Sequence, residues 1–452
     1  MTHLTYSPRL HQVIPGGAHT YSRGDDQYSS NTPSIIQRAK GVYCWTPESE
    51  RYLDYGMALR AVTLGYANDR VNQAAIQQIE NGVNVTRPSL VELEAAELIT
   101  ALIPCAEMVK FAKNGSNVTT AAIKVARAFT GKKYVCIPWQ QPFFSFDDWF
   151  IGTTPIKRGI PQEHYSTTLL FDYNSIQSLQ ALFDQYPNEI ACVLMEPAAG
   201  LFPCSHQEKS WDTKECEHCH KEKNSFLHQV KTLCHRNGAL FILDEMITGF
   251  RWHLQGAQTY FGVEPDLATF GKAMANGFSL SALVGKKEYL SVGSTHIPNQ
   301  ERTFLLSTTH GAEMPALGAF IEAVNVYRDQ HVIEHLWHYG DKLFKGFNAI
   351  SRALGLQDYI YMEGNPISMA YVTKDPTQTV SLEYRTLFQQ EMIKHHILMP
   401  WIAISLAHTS TELALTLSAI EATLNVYTKA LENGISHYLT GPSIKPVFRQ
   451  YN

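Results

Sequence analysis

Lys272 and Asp244 are the residues whose types and positions suggest covalent chemistry. Lys272 stands two residues after the short apolar run 267–270, and Asp244 comes directly after the apolar run 239–243. A lysine amine can form a Schiff base with an aldehyde, and a carboxylate at the end of a neighbouring strand can keep a pyridine nitrogen protonated. Together these groups would turn the ring into an electron sink, which predicts a pyridoxal phosphate site.

A second polar segment, Asn114, Gly115 and Ser116, follows the apolar run 108–112 and opens a helical pattern. Its backbone amides, the serine hydroxyl and the helix dipole could hold the dianionic phosphate of a cofactor. The same short motif could equally be a helix N-cap that binds no ligand. The phosphate interpretation gains weight because this segment, Asp244 and Lys272 occur together, in order, each after an apolar run.

These polar residues must be positioned by a set of strands and helices. Six short apolar runs are typical of buried strands, at residues 108–112, 134–137, 191–195, 239–243, 267–270 and 282–285. Helical patterns lie between several of them, such as residues 119–129 and 226–236. This alternation predicts a mostly parallel sheet covered on both faces, with the ligand site outside the carboxyl ends of the strands. Glu196 also follows such an end.

Both ends of the chain are predicted to lie outside this sheet. Residues 41–45 and 51–54 are typical of a hairpin, and residues 314–328 and 411–432 of helices. We therefore predict an α/β fold in which residues 61–310 form a large cofactor-binding domain. An N-terminal segment, 1–60, is expected to pack with a small C-terminal α+β domain, 311–452.

Composition excludes several classes of protein. With 452 residues, 44% of them hydrophobic, the chain can bury a large core. Its net charge of -5 and scattered basic residues offer no basic surface for nucleic acid. We find no signal sequence or apolar run of membrane-spanning length, so we expect a cytoplasmic protein without a membrane partner. Eight cysteines in so long a chain do not indicate a disulfide framework.

The segments around Asp244 and Lys272, residues 241–251 and 262–272, are similar to those of a known family. With residues 15–17 near the N-terminus they make the chain resemble the class III aminotransferases of the fold type I pyridoxal phosphate enzymes. Within these it resembles the glutamate-1-semialdehyde aminomutase branch, and the likeness runs nearly end to end. The resemblance implies a mostly parallel seven-stranded sheet between helices, plus a smaller α+β domain from both chain ends.

The resemblance also implies roles for individual residues. Lys272 would be the Schiff-base lysine and general acid/base, Asp244 would pair with the pyridine nitrogen, and residues 114–116 would hold the phosphate. Thr308 matches a threonine that, in family members, extends across a dimer interface and contacts the same phosphate. Met246 lies where the family packs an aliphatic side chain under the ring. A homodimer with shared active sites is therefore expected, and Glu196 is counted among the cofactor-binding residues.

The chain departs from the family pattern in two places. Where members usually have a Tyr-His-Gly run with a ring stacked on the cofactor, it has Phe143, Phe144 and Ser145. We align Phe143 with the stacking ring, although a loop so rich in phenylalanine could equally belong to the core. Asn117 replaces the glutamate that commonly follows the hydroxyl residue of the phosphate loop.

The cofactor residues do not identify the substrate. Arg23 occupies the family's N-terminal arginine position and could bind a carboxylate with two hydrogen bonds, or form a structural ion pair. His19, Tyr21 and Arg60 could donate hydrogen bonds to a polyhydroxy ketone or aldehyde, or be structural residues. The segments around them resemble family variants associated with surface-polysaccharide and amino-sugar pathways, in which glutamate is a plausible amino donor.

Three functions remain open at this point. The first is a two-substrate aminotransferase that transfers an amino group from an amino acid to a carbonyl compound. The second is an aminomutase, since its two half-reactions on one molecule use the same cofactor residues. The third is a cofactor-binding scaffold without activity, suggested by the altered Phe143 loop. Retention of Lys272 and Asp244 argues against the scaffold, because a protein without catalysis needs no Schiff base.

A cysteine-rich insertion could hold a metal. Cys216 and Cys219 have the CxxC spacing of zinc ligands, and Cys204 precedes them. The alternative is a polar loop that is rich in cysteine by chance. A zinc ion there would be structural, because the insertion lies away from Lys272 in the sequence.

Overall fold

The computed structural model describes residues 6–198, 202–204 and 225–452. They form two compact units: Asp69–Ile333 is one, and the two chain ends, Met1–Asn68 and Glu334–Asn452, form the other. These bounds differ from the predicted large domain of 61–310. The helix Met314–Asp329, which we expected in the small domain, belongs to the larger unit because it packs along the helix Asp69–Glu80.

The described residues form thirteen strands and fifteen α-helices. The strands are β1 Arg38–Lys40, β2 Tyr43–Trp45, β3 Arg51–Asp54, β4 Met108–Ala112, β5 Tyr134–Pro138, β6 Thr168–Phe171, β7 Ile190–Met195, β8 Leu240–Asp244, β9 Leu267–Phe270, β10 Ser281–Gly285, β11 Ile360–Glu363, β12 Ala370–Thr373 and β13 Ile397–Leu398. The helices are α1 Tyr6–Val13, α2 Met57–Arg60, α3 Asp69–Glu80, α4 Leu90–Leu102, α5 Gly115–Thr130, α6 Asp148–Ile151, α7 Gln162–Tyr165, α8 Ile176–Gln185, α9 Phe226–Arg236, α10 Ala257–Phe261, α11 Lys287–Leu290, α12 Met314–Asp329, α13 Val332–Ala353, α14 Leu382–Lys394 and α15 Ser410–Asn433. Among the described helices, none combines the length and the hydropathy that crossing a membrane requires.

A seven-stranded sheet, in the order β4-β10-β9-β8-β7-β5-β6, forms the centre of the larger unit. β10 runs antiparallel to both of its neighbours, and the other neighbouring strands pair in parallel. The prediction of a mostly parallel seven-stranded sheet is therefore confirmed. Because β4, β7, β8 and β9 share one direction, their carboxyl ends meet at the same edge of the sheet, where such folds bind ligands.

Side chains of the central strands alternate between two apolar layers, as the pleat requires. Cys192 and Leu194 of β7 pack with α5, whose buried residues include Val118 and Val125. Val193 and Met195, on the opposite face, pack with α8 and α9. The sheet is thus covered on both faces, which explains why these strands are continuous apolar runs in the sequence.

The six apolar runs of the sequence do not include the edge strand β6. It pairs in parallel with β5, with Thr168 opposite Val135. As an edge strand it is only partly covered, and Leu170 is exposed. A short apolar run at residues 168–171 was the signal that could have identified it.

The smaller unit contains the predicted hairpin outside the main sheet. β2 and β3 pair antiparallel with Tyr43 opposite Leu53, β1 extends the pair, and β13 joins β3 in parallel. The nearby core holds a hydroxyl network in which the Tyr55 hydroxyl lies 2.7 Å from that of Tyr339 and 2.8 Å from Thr416 Oγ1. The His408 ring stacks on Tyr55, with ring centroids 4.7 Å apart.

His408 should make the protein sensitive to acid. Burial lowers its pKa from the ordinary 6.5 to about 3, and its Nδ1 accepts a hydrogen bond from the Ser405 amide at 3.1 Å. Between these values the unfolded chain binds a proton that the folded chain does not, so stability falls as pH falls through this window. We expect the free energy of unfolding to drop by about 2 kcal/mol between about pH 7 and about pH 5 from this group.

Urea unfolding of the wild type and of His408→Asn at both pH values measures this contribution. Asparagine keeps an acceptor for the Ser405 amide but does not titrate in this range. The variant should be less stable at neutral pH because of its smaller side chain, and its stability should depend less on pH. An equal pH dependence in the two proteins would contradict the prediction.

Candidate active site

Asp244 and Lys272 lie at the ends of adjacent parallel strands. Asp244 is the last residue of β8 and stands opposite Thr269 of β9, three residues before Lys272. Thr269 Oγ1 donates a hydrogen bond of 2.9 Å to Asp244 Oδ1, and the Met246 amide donates one of 3.0 Å to the same oxygen. Among the described residues, no hydrogen bond ends on Oδ2. That oxygen could therefore meet a ligand's N–H group.

Burial and charge compete at Asp244. Its side chain is buried, and burial outweighs the opposing Thr269 hydrogen bond and positive charge of Lys272, so that the pKa of the carboxyl is raised to about 6. A buried carboxylate is stabilised in its charged form by a cation beside it. A protonated pyridine nitrogen facing Oδ2 would provide that cation, so this position fits the ring of pyridoxal phosphate.

Thr269→Val should destabilise the charged form of the Asp244 carboxylate without changing the shape of the site. A hydrogen bond to a charged group contributes about 1.5 kcal/mol, which corresponds to roughly one pKa unit. We expect the Asp244 pKa to rise. As pH is lowered, cofactor affinity should therefore begin to fall at a pH about one unit higher than in the wild type. Cofactor titrations across pH, followed by absorbance, measure this shift.

Thr248→Val is the matched control. Thr248 Oγ1 donates a hydrogen bond of 2.9 Å to Glu245, a buried carboxylate that also accepts hydrogen bonds from the backbone amides of Ala257 and Gln258. Its loss should lower stability without moving the pH profile of cofactor binding. If the pH dependence of cofactor affinity moved equally in both variants, the Thr269 hydrogen bond would not be what sets the pKa of Asp244.

The loop before α5 combines an N-cap with backbone donors. Asn114 is the N-cap, and its Oδ1 accepts the Asn117 amide at 3.1 Å. Within the described chain, the Gly115 and Ser116 amides have no hydrogen-bond acceptor. The two interpretations of this motif are therefore compatible, because capping uses the Asn114 side chain while two amides of a 16-residue helix remain for an anion.

Met246 connects this loop to the Lys272 segment. A Cβ atom added to Gly115 would lie 3.1 Å from the Met246 Sδ and Cε atoms, and one added to Gly271 would overlap the same sulfur. The Ser281 hydroxyl fixes the loop further by donating a hydrogen bond of 2.7 Å to the Asn114 carbonyl. The predicted phosphate loop, the buried carboxylate and the lysine thus belong to one cluster, and the two glycines leave room for the Met246 side chain between them.

The phenylalanine-rich loop divides between core and surface. Phe144 is 2% exposed and belongs to the core, whereas Phe143 is 47% exposed. The Phe143 ring meets Phe150 edge to face at 5.8 Å. Ser116 Oγ accepts the Phe146 amide at 3.0 Å, which places this loop beside the phosphate loop. The core interpretation therefore holds for Phe144, and Phe143 remains available to stack on a ligand.

Glu196 is buried directly after β7. The side chain of Gln141 holds its backbone from both sides: Oε1 accepts the Glu196 amide at 2.8 Å, and Nε2 donates to the Glu196 carbonyl at 2.9 Å. We did not identify Gln141 from the sequence, because its partner lies 55 positions further along the chain. A cofactor contact of Glu196 stays a prediction.

Thr308 lies in an exposed loop that is tied to the phosphate loop. Glu313, at the end of the Thr308 loop, forms an ion pair with Lys113, which directly precedes Asn114, and lies 2.9 Å from His310 Nδ1. The Asn84 amide group holds the Thr309 carbonyl at 2.7 Å. The Lys113–Glu313 link was also missed, since nothing local in the sequence indicates it.

The predicted substrate residues all belong to the smaller unit. His19, Tyr21 and Arg23 are exposed, and the last two lie in the single 3-10 turn Tyr21–Arg23. Arg60 is half-buried at the end of α2. The structure brings the cofactor candidates together within the larger unit, whereas the substrate roles of these four residues stay predictions.

The predicted zinc site falls mostly outside the described residues, since Cys216 and Cys219 are not among them. Cys204 is buried, and its amide donates to Asn174 Oδ1 at 2.9 Å. Within the described ranges, no three His, Cys, Asp or Glu side chains are grouped in a way that could hold a metal ion. A structural zinc stays a prediction that metal analysis of the purified protein can test.

Comparison with known proteins agrees with this arrangement. The family model described as Aminotransferase class-III matches residues 25–391, so the chain belongs to the class III aminotransferases, which are pyridoxal phosphate enzymes. A glutamate-1-semialdehyde 2,1-aminomutase of Alkaliphilus oremlandii is 30% identical over 92% of this chain and 97% of its own length. A 3-aminobutyryl-CoA aminotransferase of Cloacimonas acidaminovorans is 29% identical over 93% of this chain and 96% of its own.

A solved structure shows the same fold. The FumI protein of Sphingopyxis sp. MTA144, in its PLP internal aldimine form, superposes with a TM-score of 0.82 over 95% of this chain and 97% of that protein. Its sequence identity is 24%, so this likeness concerns the fold alone. The fold class and the family expected from the sequence are both confirmed.

Proposed function

We propose that this enzyme transfers an amino group from an amino acid, with glutamate as the donor, to a sugar or another polyhydroxy aldehyde or ketone. Membership of the class III aminotransferases supports the type of reaction. The observation that carries the proposal is the buried Asp244 beside Lys272, linked through Met246 to the amides of the phosphate loop. The choice of a sugar acceptor for surface-polysaccharide synthesis rests on the resemblance of residues 17–26.

Pyridoxal phosphate, when bound, supplies an aldehyde for amines and a ring that withdraws electrons. Lys272 would hold the cofactor through its amine and, once released, move a proton between the substrate's amine-bearing carbon and the adjacent cofactor carbon. Asp244 Oδ2 would keep the pyridine nitrogen protonated. The Gly115 and Ser116 amides would bind the phosphate, and Phe143 would cover the ring.

We also propose a cytoplasmic homodimer in which Thr308 reaches the partner's phosphate. The exposed position of Thr308 supports this role. His19, Tyr21, Arg23 and Arg60 are proposed to bind the substrates, with a guanidinium pairing with the donor carboxylate. Exposure of the first three leaves their polar groups accessible in the smaller unit.

An intramolecular aminomutase is the second candidate, because the relative from Alkaliphilus oremlandii has that name. The two candidates differ in what they require. An aminotransferase needs a donor and an acceptor, whereas an aminomutase converts a single amino-aldehyde without a donor. Turnover of glutamate 1-semialdehyde alone would favour the aminomutase.

The experiment that tests the proposal is a visible absorbance spectrum of the cofactor-loaded enzyme during titration with a panel of amino acids. We expect glutamate to convert the lysine-linked cofactor band to that of the aminated cofactor without any acceptor. Sugar ketones and aldehydes are then screened for reversal of this change. A bound cofactor that no amino acid converts would favour the aminomutase or an inactive scaffold, and no band with added cofactor would refute the role of Lys272.

A further inference from the structure

The short helix α2, Met57–Arg60, is left-handed. All four residues have positive φ, namely 40°, 50°, 62° and 64° in order, and none is glycine. L-residues in this conformation bring Cβ too close to the following carbonyl, so a run of four is strained. Such strain persists only where the surrounding contacts enforce it, and it is concentrated at functional sites.

A carboxylate and a tyrosine hydroxyl hold this turn. Asp54 Oδ1 accepts the Gly56 amide at 2.6 Å, at the entrance to the turn. The Tyr66 hydroxyl donates to Asp54 Oδ2 at 2.6 Å and accepts the Ala58 amide at 2.8 Å, inside the turn. The Asp54–Tyr66 pair thus fixes both the start and the middle of the left-handed segment.

Core packing accounts for two of the four residues of the turn. Met57 is fully buried and packs with Val62 and Ala403, and Ala58 packs against the same cluster. Ala58, Leu59 and Arg60 are only half-buried. Since Leu59 and Arg60 are not part of this cluster, packing does not explain their strained conformation, which is better explained by what this end of the turn presents.

We infer that Tyr66, acting through Asp54, is a positioning residue that keeps the left-handed turn in place so that Arg60 binds an anionic group of the substrate, such as the carboxylate of the amino donor. A guanidinium binds a carboxylate through two parallel hydrogen bonds, which makes its orientation important. This inference rests on the proposed function and adds to it a residue that need not touch the substrate.

Tyr66→Phe tests the inference, because it removes the hydroxyl and keeps the ring. We expect the dissociation constant of the donor in the half-reaction to rise roughly tenfold, the effect of one hydrogen bond to a charged group. The limiting rate at saturating donor should change less than about threefold, and cofactor affinity should stay the same, because the cofactor residues are unaltered. Stopped-flow absorbance with glutamate measures both kinetic constants.

Tyr427→Phe is the matched control in the same unit. Its hydroxyl is likewise hydrogen-bonded, but only to backbone groups: it donates to the Lys374 carbonyl at 2.6 Å, accepts the Lys374 amide at 3.0 Å and lies 3.3 Å from the Tyr359 carbonyl. It should lower stability and leave the donor dissociation constant unchanged. In Asp54→Asn, the amide nitrogen Nδ2 cannot accept a hydrogen bond from the Tyr66 hydroxyl, so this variant should reproduce the effect of Tyr66→Phe. It serves as the test if Tyr66→Phe does not fold.

A rescue variant separates positioning from a general loss of stability. Glycine adopts positive φ without steric strain, so Ala58→Gly should let the turn form with less help from Tyr66. In the Tyr66→Phe background it should recover part of the donor affinity. Equal donor dissociation constants in the wild type and Tyr66→Phe would overturn the inference. Equal increases of that constant in Tyr66→Phe and Tyr427→Phe would overturn it as well. Failure of the wild type to react with any donor would instead count against the proposed function.

Discussion

Lys272→Ala is expected to abolish amino transfer while the protein stays folded. Without the amine, the cofactor cannot be held covalently and the proton cannot be moved at the substrate carbon. General acid/base catalysis alone contributes up to about 10⁴-fold, so we expect turnover to fall at least about 10³-fold. The lysine-linked absorbance band should also be missing from the purified variant, which gives a readout independent of turnover.

The control for this variant is Lys287→Ala. Lys287 is an exposed lysine of the same unit, and its replacement should leave both the band and the turnover unchanged. Far-ultraviolet circular dichroism and thermal unfolding show whether the Lys272 variant is folded. A Lys272→Ala protein that still converts donor at near the wild-type rate would remove Lys272 from the reaction.

Asp244→Asn is expected to produce the second large effect. Asparagine can still accept the Thr269 and Met246 hydrogen bonds at Oδ1, but it has no charge to keep the pyridine nitrogen protonated. Removing one member of a buried charge pair costs roughly 2–5 kcal/mol. We therefore expect the catalytic efficiency to fall about 30- to 5000-fold, together with weaker cofactor binding in absorbance titrations.

Glu245→Gln distinguishes this effect from the loss of any buried charge. Glu245 is the next residue, is also fully buried, and accepts hydrogen bonds from the Ala257 and Gln258 amides. Its replacement should lower the free energy of unfolding, while cofactor affinity is retained in the protein that folds. If Asp244→Asn left cofactor affinity and turnover intact, the assigned role of Asp244 would be wrong.

Local sequence patterns predicted the elements that build the sheet. The strand Leu267–Phe270 has the bounds expected from its apolar run, and Asp244 and Lys272 lie at strand ends, because a buried parallel strand needs apolar residues throughout and a polar residue marks its end. The edge strand β6 escaped detection because partial exposure gives it a weaker pattern.

Other features depend on contacts between distant residues. The ion pair of Lys113 with Glu313 joins positions 200 residues apart, and only folding brings them together. The left-handed turn at Met57–Arg60 has ordinary residue types, and its conformation depends on Asp54 and on Tyr66, which follows the turn. Patterns of hydropathy and turn residues do not contain this information.

The packing of Met246 against Gly115 and Gly271 has a consequence for the variation of this enzyme. Alanine at Gly271 would overlap the methionine sulfur and alanine at Gly115 would crowd it, so we expect substitutions at these three positions to be coupled. A shorter residue at position 246 would make room for one extra methyl group. Libraries built to alter this enzyme should therefore randomise the three positions together, since an extra methyl group at either glycine is best accommodated by a matching change at position 246.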